Sequence, residues 1–201
     1  MAPERYKELM RDKLDHELYK HSLGVAEAAF ELAERYQADK DQAYLAGIVH
    51  DYGKRFSGRE LLKIADQLGL PLDPVTRRES RLLHAPVGAA LLKKESIITD
   101  PKILRAVAYH TTGRSRMSRL EKVIYLADYI ETGRDFPAAD RIRRVAVENL
   151  EQALLEAVEF AIKSVLDRGL MLHPRSVAFR NELVALQRDR TGEKRSLIQN
   201  D

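Results

Sequence analysis

The chain contains six histidines, and four of them (His21, His50, His84 and His110) fall at or near the apolar face or the end of a segment with helical periodicity. A polar ring in such a place is costly unless it has a partner. Two aspartates are anomalous in the same way. Asp51 follows His50 directly within Ala46-Gly47-Ile48-Val49-His50-Asp51-Tyr52-Gly53, and Asp128 interrupts the apolar run Val123-Ile124-Tyr125-Leu126-Ala127-Asp128-Tyr129-Ile130. An arginine or a helix cap could satisfy either carboxylate alone. A bound cation accounts for both, and for the histidines as well. Imidazole and carboxylate suit iron, manganese, zinc or nickel. A single histidine on a helix is ordinarily structural, and an isolated His-Asp pair says little. The ordered set His21, His50-Asp51, His84, His110, Asp128, spread over successive predicted helices, is more specific, because packed helices can aim such side chains at one interior point. His16 sits in a charged stretch and reads as a surface residue.

The elements that would position these residues are helices throughout. Leu18, Val25, Ala29, Leu32, Ala33 and Tyr36 recur at helical spacing. Further helices are expected over Gln42–Tyr52, Gly58–Gly69 and His84–Lys94, the last with Pro86 in its first turn, where proline is tolerated. Pro101–His110 follows Asp100 as N-cap, and Ser118–Ile130 opens with Ser118 and Glu121 spaced as a capping box. A long helix over Arg141–Leu166 and a final one over Val177–Gln187 complete the series. Alternating β-branched patterns and internal repeats are absent. The expected fold is all-α, a single compact helical domain over residues 1–189 with the metal site between helices, followed by a polar tail at 190–201.

Composition narrows the class. The 201 residues suit one domain with a real core. With no cysteine, thiolate nucleophiles, disulfides and cysteine-bound zinc or iron–sulfur centres are excluded. The charged N-terminus, Met1 to Asp15, lacks the apolar stretch of a signal peptide, and no run reaches membrane-spanning length, so a cytoplasmic location and no membrane partner are expected. The net charge of +3 is small, with excess base at Arg114–Arg119, Arg141–Arg144 and Arg188–Arg195. It reads as a solvated surface or as mild attraction for anionic ligands such as phosphates. Few aromatics and no basic stripe argue against nucleic acid as a partner. Apolar residues on the Arg141–Leu166 segment could support a homodimer, and core packing explains them equally well.

The order of the six residues resembles the HD superfamily of metal-dependent phosphohydrolases, and the strings around them resemble its YqeK family, bacterial symmetrical diadenosine tetraphosphate hydrolases. The strings are His21-Ser22-Leu23-Gly24-Val25-Ala26, His50-Asp51-Tyr52-Gly53-Lys54, His84-Ala85-Pro86-Val87-Gly88-Ala89, Tyr109-His110-Thr111-Thr112-Gly113, Leu126-Ala127-Asp128-Tyr129-Ile130-Glu131, Gly133-Arg134-Asp135-Phe136-Pro137 and His173-Pro174. They span roughly residues 16 to 180. Ala85 and Leu18 depart from the family, which has glycine and often arginine at those positions.

The resemblance implies two divalent ions, with iron as the family expectation and manganese, cobalt, nickel or zinc also suited to the ligands. His21, His50, Asp51 and Asp128 would hold one, His84 and His110 the other, with Asp51 bridging. Two divalent cations against two carboxylates leave a surplus of positive charge for phosphate oxygens, and a hydroxide shared between the ions would attack phosphorus in line. The implied reaction is symmetric cleavage of diadenosine tetraphosphate into two ADP, and the choice of the central bond rests on the resemblance alone. Lys54 would contact a phosphate as a catalytic group beside Asp51, or simply close a helix C-terminus. Arg134 would clamp a phosphate. His173, Pro174 and Arg175 would help form the nucleotide pocket, with His173 stacking on or hydrogen-bonding to a base; without the resemblance they read as a turn between helices. Two alternatives remain at this point: an HD hydrolase of another nucleotide (a dNTP, a nucleoside monophosphate or a guanosine alarmone), or a non-catalytic metal-binding sensor.

Overall fold

A computed structural model describes residues 3–191, and among these no strand occurs. Eleven α-helices run in the order α1 Pro3–Lys13, α2 His16–Arg35, α3 Lys40–Val49, α4 Gly58–Gln67, α5 Pro74–Arg78, α6 His84–Lys94, α7 Pro101–Tyr109, α8 Arg119–Ile130, α9 Ala139–Glu148, α10 Leu150–Asp167 and α11 Pro174–Thr191. Two single 3-10 turns, Tyr52–Arg55 and Ser80–Leu83, lead out of α3 and into α6. Buried apolar side chains from Met10 to Leu183 form one continuous core. The helices α2, α3, α6, α7 and α8 pack on one another around it. None of the helices is long and apolar enough to cross a membrane.

Side-chain caps set most of the starts. Asp15, Asp39, Asp73 and Asp100 each accept from a backbone N–H of the first turn that follows. Ser57 and Ser118 form complete capping boxes with Glu60 and Glu121. Each such cap contributes about 1 kcal/mol to helix stability.

The structure adds to or departs from the helices read from the sequence at four places. The charged N-terminal stretch is itself a helix, α1, whose Met10 is buried, with Leu14 just beyond it buried too. The expected single helix over Arg141–Leu166 is two. Asn149 adopts an extended conformation (φ −149°, ψ 108°) and its side chain accepts from the Gln152 N–H, so it caps α10 instead of continuing α9. Of the apolar residues in that stretch, Val147 and Leu166 are exposed while Leu150, Leu154, Leu155 and Val158 are buried. The helix expected to carry Asp51 stops at Val49, and the chain tightens into the first 3-10 turn. The last helix begins at Pro174 and reaches Thr191, past the expected tail boundary. The rest of that tail, 192–201, lies outside the described residues.

Close backbone approach fixes the helices around the site. The 3-10 turn beyond Asp51 rests on the start of α6, where a Cβ at Gly53 would collide with the His84 carbonyl group, and a Cβ at Gly88 would come within 2.9 Å of the Gly53 nitrogen.

Candidate metal centre

The six residues singled out by spacing come together at one interior point. His21 projects from the first half of α2, His50 and Asp51 leave the C-terminal end of α3, His84 opens α6, His110 follows α7, and Asp128 sits near the end of α8. His50, Asp51 and His110 are almost wholly buried and His84 nearly so, whereas His21 and Asp128 are partly accessible.

A shared device orients three of the imidazoles. Nδ1 of His50 lies 2.8 Å from the Gly47 carbonyl oxygen, Nδ1 of His84 2.6 Å from that of Arg81, and Nδ1 of His110 2.7 Å from that of Val107. The last turn of a helix leaves such carbonyls without intrahelical partners. A carbonyl can only accept, so each Nδ1 carries a proton, and each Nε2 is turned inward, where the neutral ring offers a lone pair to a cation and a protonated ring would donate to Asp51. His21 is held differently. Its Nδ1 is 3.1 Å from Oε1 of Glu131, a buried carboxylate just beyond α8 whose Oε2 accepts the Gly133 N–H at 2.6 Å.

The inward atoms lie close together. His21 Nε2 is 3.0 Å from Asp128 Oδ1 and 3.6 Å from Asp51 Oδ2, and His50 Nε2 is 3.1 Å from the same Oδ2. The other oxygen of Asp51, Oδ1, is 3.5 Å from Nε2 of both His84 and His110, which are themselves 3.1 Å apart. The two oxygens of one carboxylate thus face two groups of nitrogens.

These atoms fit divalent cations. Oδ1 of Asp51 and Nε2 of His50 are buried without a hydrogen-bond partner, and Oδ2 of Asp51 has only the Lys54 ammonium at 2.6 Å. Two unprotonated nitrogens at 3.1 Å repel unless something positive lies between them. Cations at the centre of these groups satisfy every orphan together, and they explain what would otherwise cost ~1–3 kcal/mol per unsatisfied group. The electrostatics agree. Burial tends to raise the pKa of Asp51, but His50, His110 and Lys54 hold it well below the usual carboxylate range. Asp128 is likewise held well below by His21, His50 and Arg134 against the effect of its burial. Burial and the neighbouring His110 lower His84 to about 4, so its ring stays neutral near pH 7.

The remaining expected residues separate into three kinds. Lys54 reaches back so that its Nζ is 2.6 Å from Asp51 Oδ2, and Arg134 folds onto the centre, its Nε donating to the Asp128 carbonyl oxygen at 2.7 Å and its Nη2 contacting Asp128 Oδ1. Both cations therefore stand at the Asp51 and Asp128 carboxylates. His173 is buried and lines a cavity of about 520 Å³ that opens beside Lys54, His84 and Thr111 and is walled by Phe56, Tyr129 and Phe160. Both its ring nitrogens are engaged, Nδ1 accepting the Arg175 N–H at 3.0 Å and Nε2 facing Asp73 Oδ2 at 3.0 Å. With both nitrogens so engaged, the edge and face of the ring are what it offers a ligand. Pro174 and Arg175 are exposed, and the Arg175 guanidinium lies 5.4 Å from the centre of the Tyr109 ring instead of on the cavity wall. His16 is exposed at the first position of α2, apart from the centre.

Three contributors escaped the sequence reading. Glu131 closes the string around Asp128, yet its link to His21 spans 110 positions. Arg143 of α9 ties down the loop carrying Arg134, donating to the carbonyl oxygens of Ile130, Glu131 and Arg134 at 2.9, 2.7 and 2.6 Å. Thr111 follows His110 directly, and its hydroxyl lies against two of the inward nitrogens.

Comparison with known proteins places this geometry in context. Residues 18–133 match the model of the HD domain family. A symmetrical bis(5'-nucleosyl)-tetraphosphatase of Bacillus subtilis is 38% identical over 176 residues, covering 88% of this chain and 94% of that protein. A protein of the same name from Staphylococcus aureus is 36% identical over 88% of this chain and 92% of its own length. Among solved structures, a predicted HD superfamily hydrolase involved in NAD metabolism from Clostridium acetobutylicum superposes with a TM-score of 0.88 at 40% identity, covering 92% of this chain and 98% of the other.

Proposed function

The chain belongs to the HD domain family, and from that premise we propose that it is a metal-dependent symmetrical bis(5'-nucleosyl)-tetraphosphatase, hydrolysing diadenosine tetraphosphate to two ADP. Divalent-metal binding goes with the family, and the His/Asp cluster is present. The observation that carries the reading is the coincidence of similarity over 88% of the chain to a protein named for that activity with a cluster in which one buried carboxylate faces two groups of histidine nitrogens. The cavity of about 520 Å³ next to it falls within the size range of small-molecule sites and suits one nucleoside.

In this reading His21, His50, Asp51 and Asp128 hold one ion, His84 and His110 the other, and Asp51 serves both. The ions are taken as iron, with manganese, cobalt, nickel or zinc as substitutes. Bound divalent ions supply positive charge for phosphate oxygens and lower the pKa of water toward neutrality. The chain's own groups do the rest. Lys54 and Arg134, standing at the ligand carboxylates, supply positive charge to the polyphosphate where it meets the centre. The apolar walls Phe56, Tyr129 and Phe160 enclose the nucleoside, and the face of His173 completes the pocket on the α11 side. Nucleotides are intracellular substrates, and we assign the activity to the cytoplasm.

The test is hydrolysis of diadenosine tetraphosphate by the purified protein with ferrous, manganous or cobaltous ion, products being resolved by ion exchange. ADP as sole product, abolished by chelator, is expected. AMP plus ATP would overturn the symmetric assignment, and no turnover with any metal would overturn the substrate.

A further inference from the structure

Thr111 stands where a ligand would stand. Its Oγ1 is 3.1 Å from Nε2 of His84 and 3.2 Å from Nε2 of His110, and those nitrogens are 3.1 Å apart. Asp51 Oδ1 is 3.5 Å from both nitrogens. Around one cation with bonds of about 2.1 Å, neighbouring donors lie about 3.0 Å apart in an octahedron and about 3.4 Å apart in a tetrahedron. The separations between the threonine oxygen and the two imidazole nitrogens have this spacing, which is that of donors converging on a single point.

The hydrogen-bond inventory leads to the same place. With both Nδ1–H groups spent on backbone carbonyls, the neutral form of each ring leaves its Nε2 as a lone-pair donor for a cation. One hydroxyl proton can serve only one of the two lone pairs at a time. A cation serves both nitrogens and the hydroxyl oxygen together.

We propose that the Thr111 hydroxyl oxygen is a fourth donor of the second ion, joining His84, His110 and Asp51. This rests on the two-ion reading of the centre. A neutral hydroxyl beside two imidazoles and one carboxylate oxygen leaves the ion most of its charge. It also adds a hard oxygen donor of the kind that suits manganese. Thr111 lines the cavity as well as the centre, so the second ion is the one that meets the polyphosphate from the nucleoside side.

The test is manganous ion titration of metal-free protein, followed by electron paramagnetic resonance and calorimetry, for wild type, Thr111→Val and Thr111→Ser. The expected result is two ions in wild type. The valine variant, which keeps the shape and loses the hydroxyl, should bind the first ion normally and the second at least ~10-fold more weakly, the scale on which metal sites respond to lost support. The serine variant should stay within a few-fold of wild type. If valine prevents folding, Thr111→Ala takes its place. Wild-type affinity for the second ion in the valine variant would overturn the assignment alone, as would a serine variant as weak as valine. A wild-type protein that takes a single ion would overturn the two-ion reading beneath it, and this is seen before any variant is made.

Discussion

Lowering the pH on metal-free protein should cost it stability through His84 in a defined window. Unfolded, the ring titrates near 6.5; folded, burial and the neighbouring His110 lower it to about 4. Between these values the unfolded chain binds a proton that the folded one does not, so stability falls as pH falls from 6.5 to about 4 and no further below. The gap of about 2.5 pH units corresponds to roughly 3 kcal/mol at ~1.4 kcal/mol per unit. Asp51 and Asp128 act outside this window, because carboxylates held below the usual range stabilise the fold above about 4 and lose that contribution only at lower pH. Urea unfolding at half-unit steps from pH 7 to 4, in chelator, measures the slope. Asn at position 84 keeps an N–H that can reach the Arg81 carbonyl and removes the titrating ring, so His84→Asn should flatten the slope by most of those ~3 kcal/mol. A variant whose stability falls with pH as steeply as wild type would refute the argument that His84 is held neutral by its burial.

Added divalent metal should raise the melting temperature, since the folded chain gathers the six side chains that the unfolded one scatters. At a hundred times its dissociation constant, one ion adds about 2.7 kcal/mol, and a domain of this size shifts by ~2–4 °C per kcal/mol. Asp51→Ala should abolish both that shift and hydrolysis, while His16→Ala leaves both unchanged, as differential scanning calorimetry and the product assay would show. Glu131→Gln should weaken metal binding ~10–100-fold at the His21 side with the circular dichroism spectrum intact, measurable by calorimetric titration. Arg143→Ala should release the loop at Glu131–Arg134 and raise KM for the nucleotide more than it lowers the apoprotein's melting temperature, provided Arg134 meets phosphate.

Much of the centre was legible because burying imidazole and carboxylate among apolar residues is expensive, and the sequence advertises that expense at His50-Asp51 and Asp128. The helical class followed from periodicity, and the capping box at Ser118 and the cap at Asp100 appear where spacing put them. What was missed has a common cause in competition between side chain and backbone. Asn149 looks tolerable within an apolar periodicity, yet its amide captures the Gln152 N–H and divides the helix. The α3 helix ends early where the His50 ring engages the Gly47 carbonyl. The α1 helix buries too few residues to stand out from a charged run. Glu131 could have been suspected from Gly24 and Gly133, since a Cβ at either would come within 2.6 or 3.0 Å of its carboxylate, but nothing in one dimension joins those positions.

Three of the four inward histidines take their orientation from main-chain oxygens, at Gly47, Arg81 and Val107. A backbone acceptor survives any side-chain replacement that preserves the turn, so the exposed Arg81 is free to drift without disturbing the ring it aims, and Val107 is held only by its own place in the core. His21 alone leans on another side chain. Its orientation can be lost by a single replacement at residue 131, or at Gly24, whose only duty in this respect is to leave room. The centre's tolerance to mutation is therefore lopsided, and inherited failures of metal binding in otherwise folded variants should concentrate on the α2–α8 side.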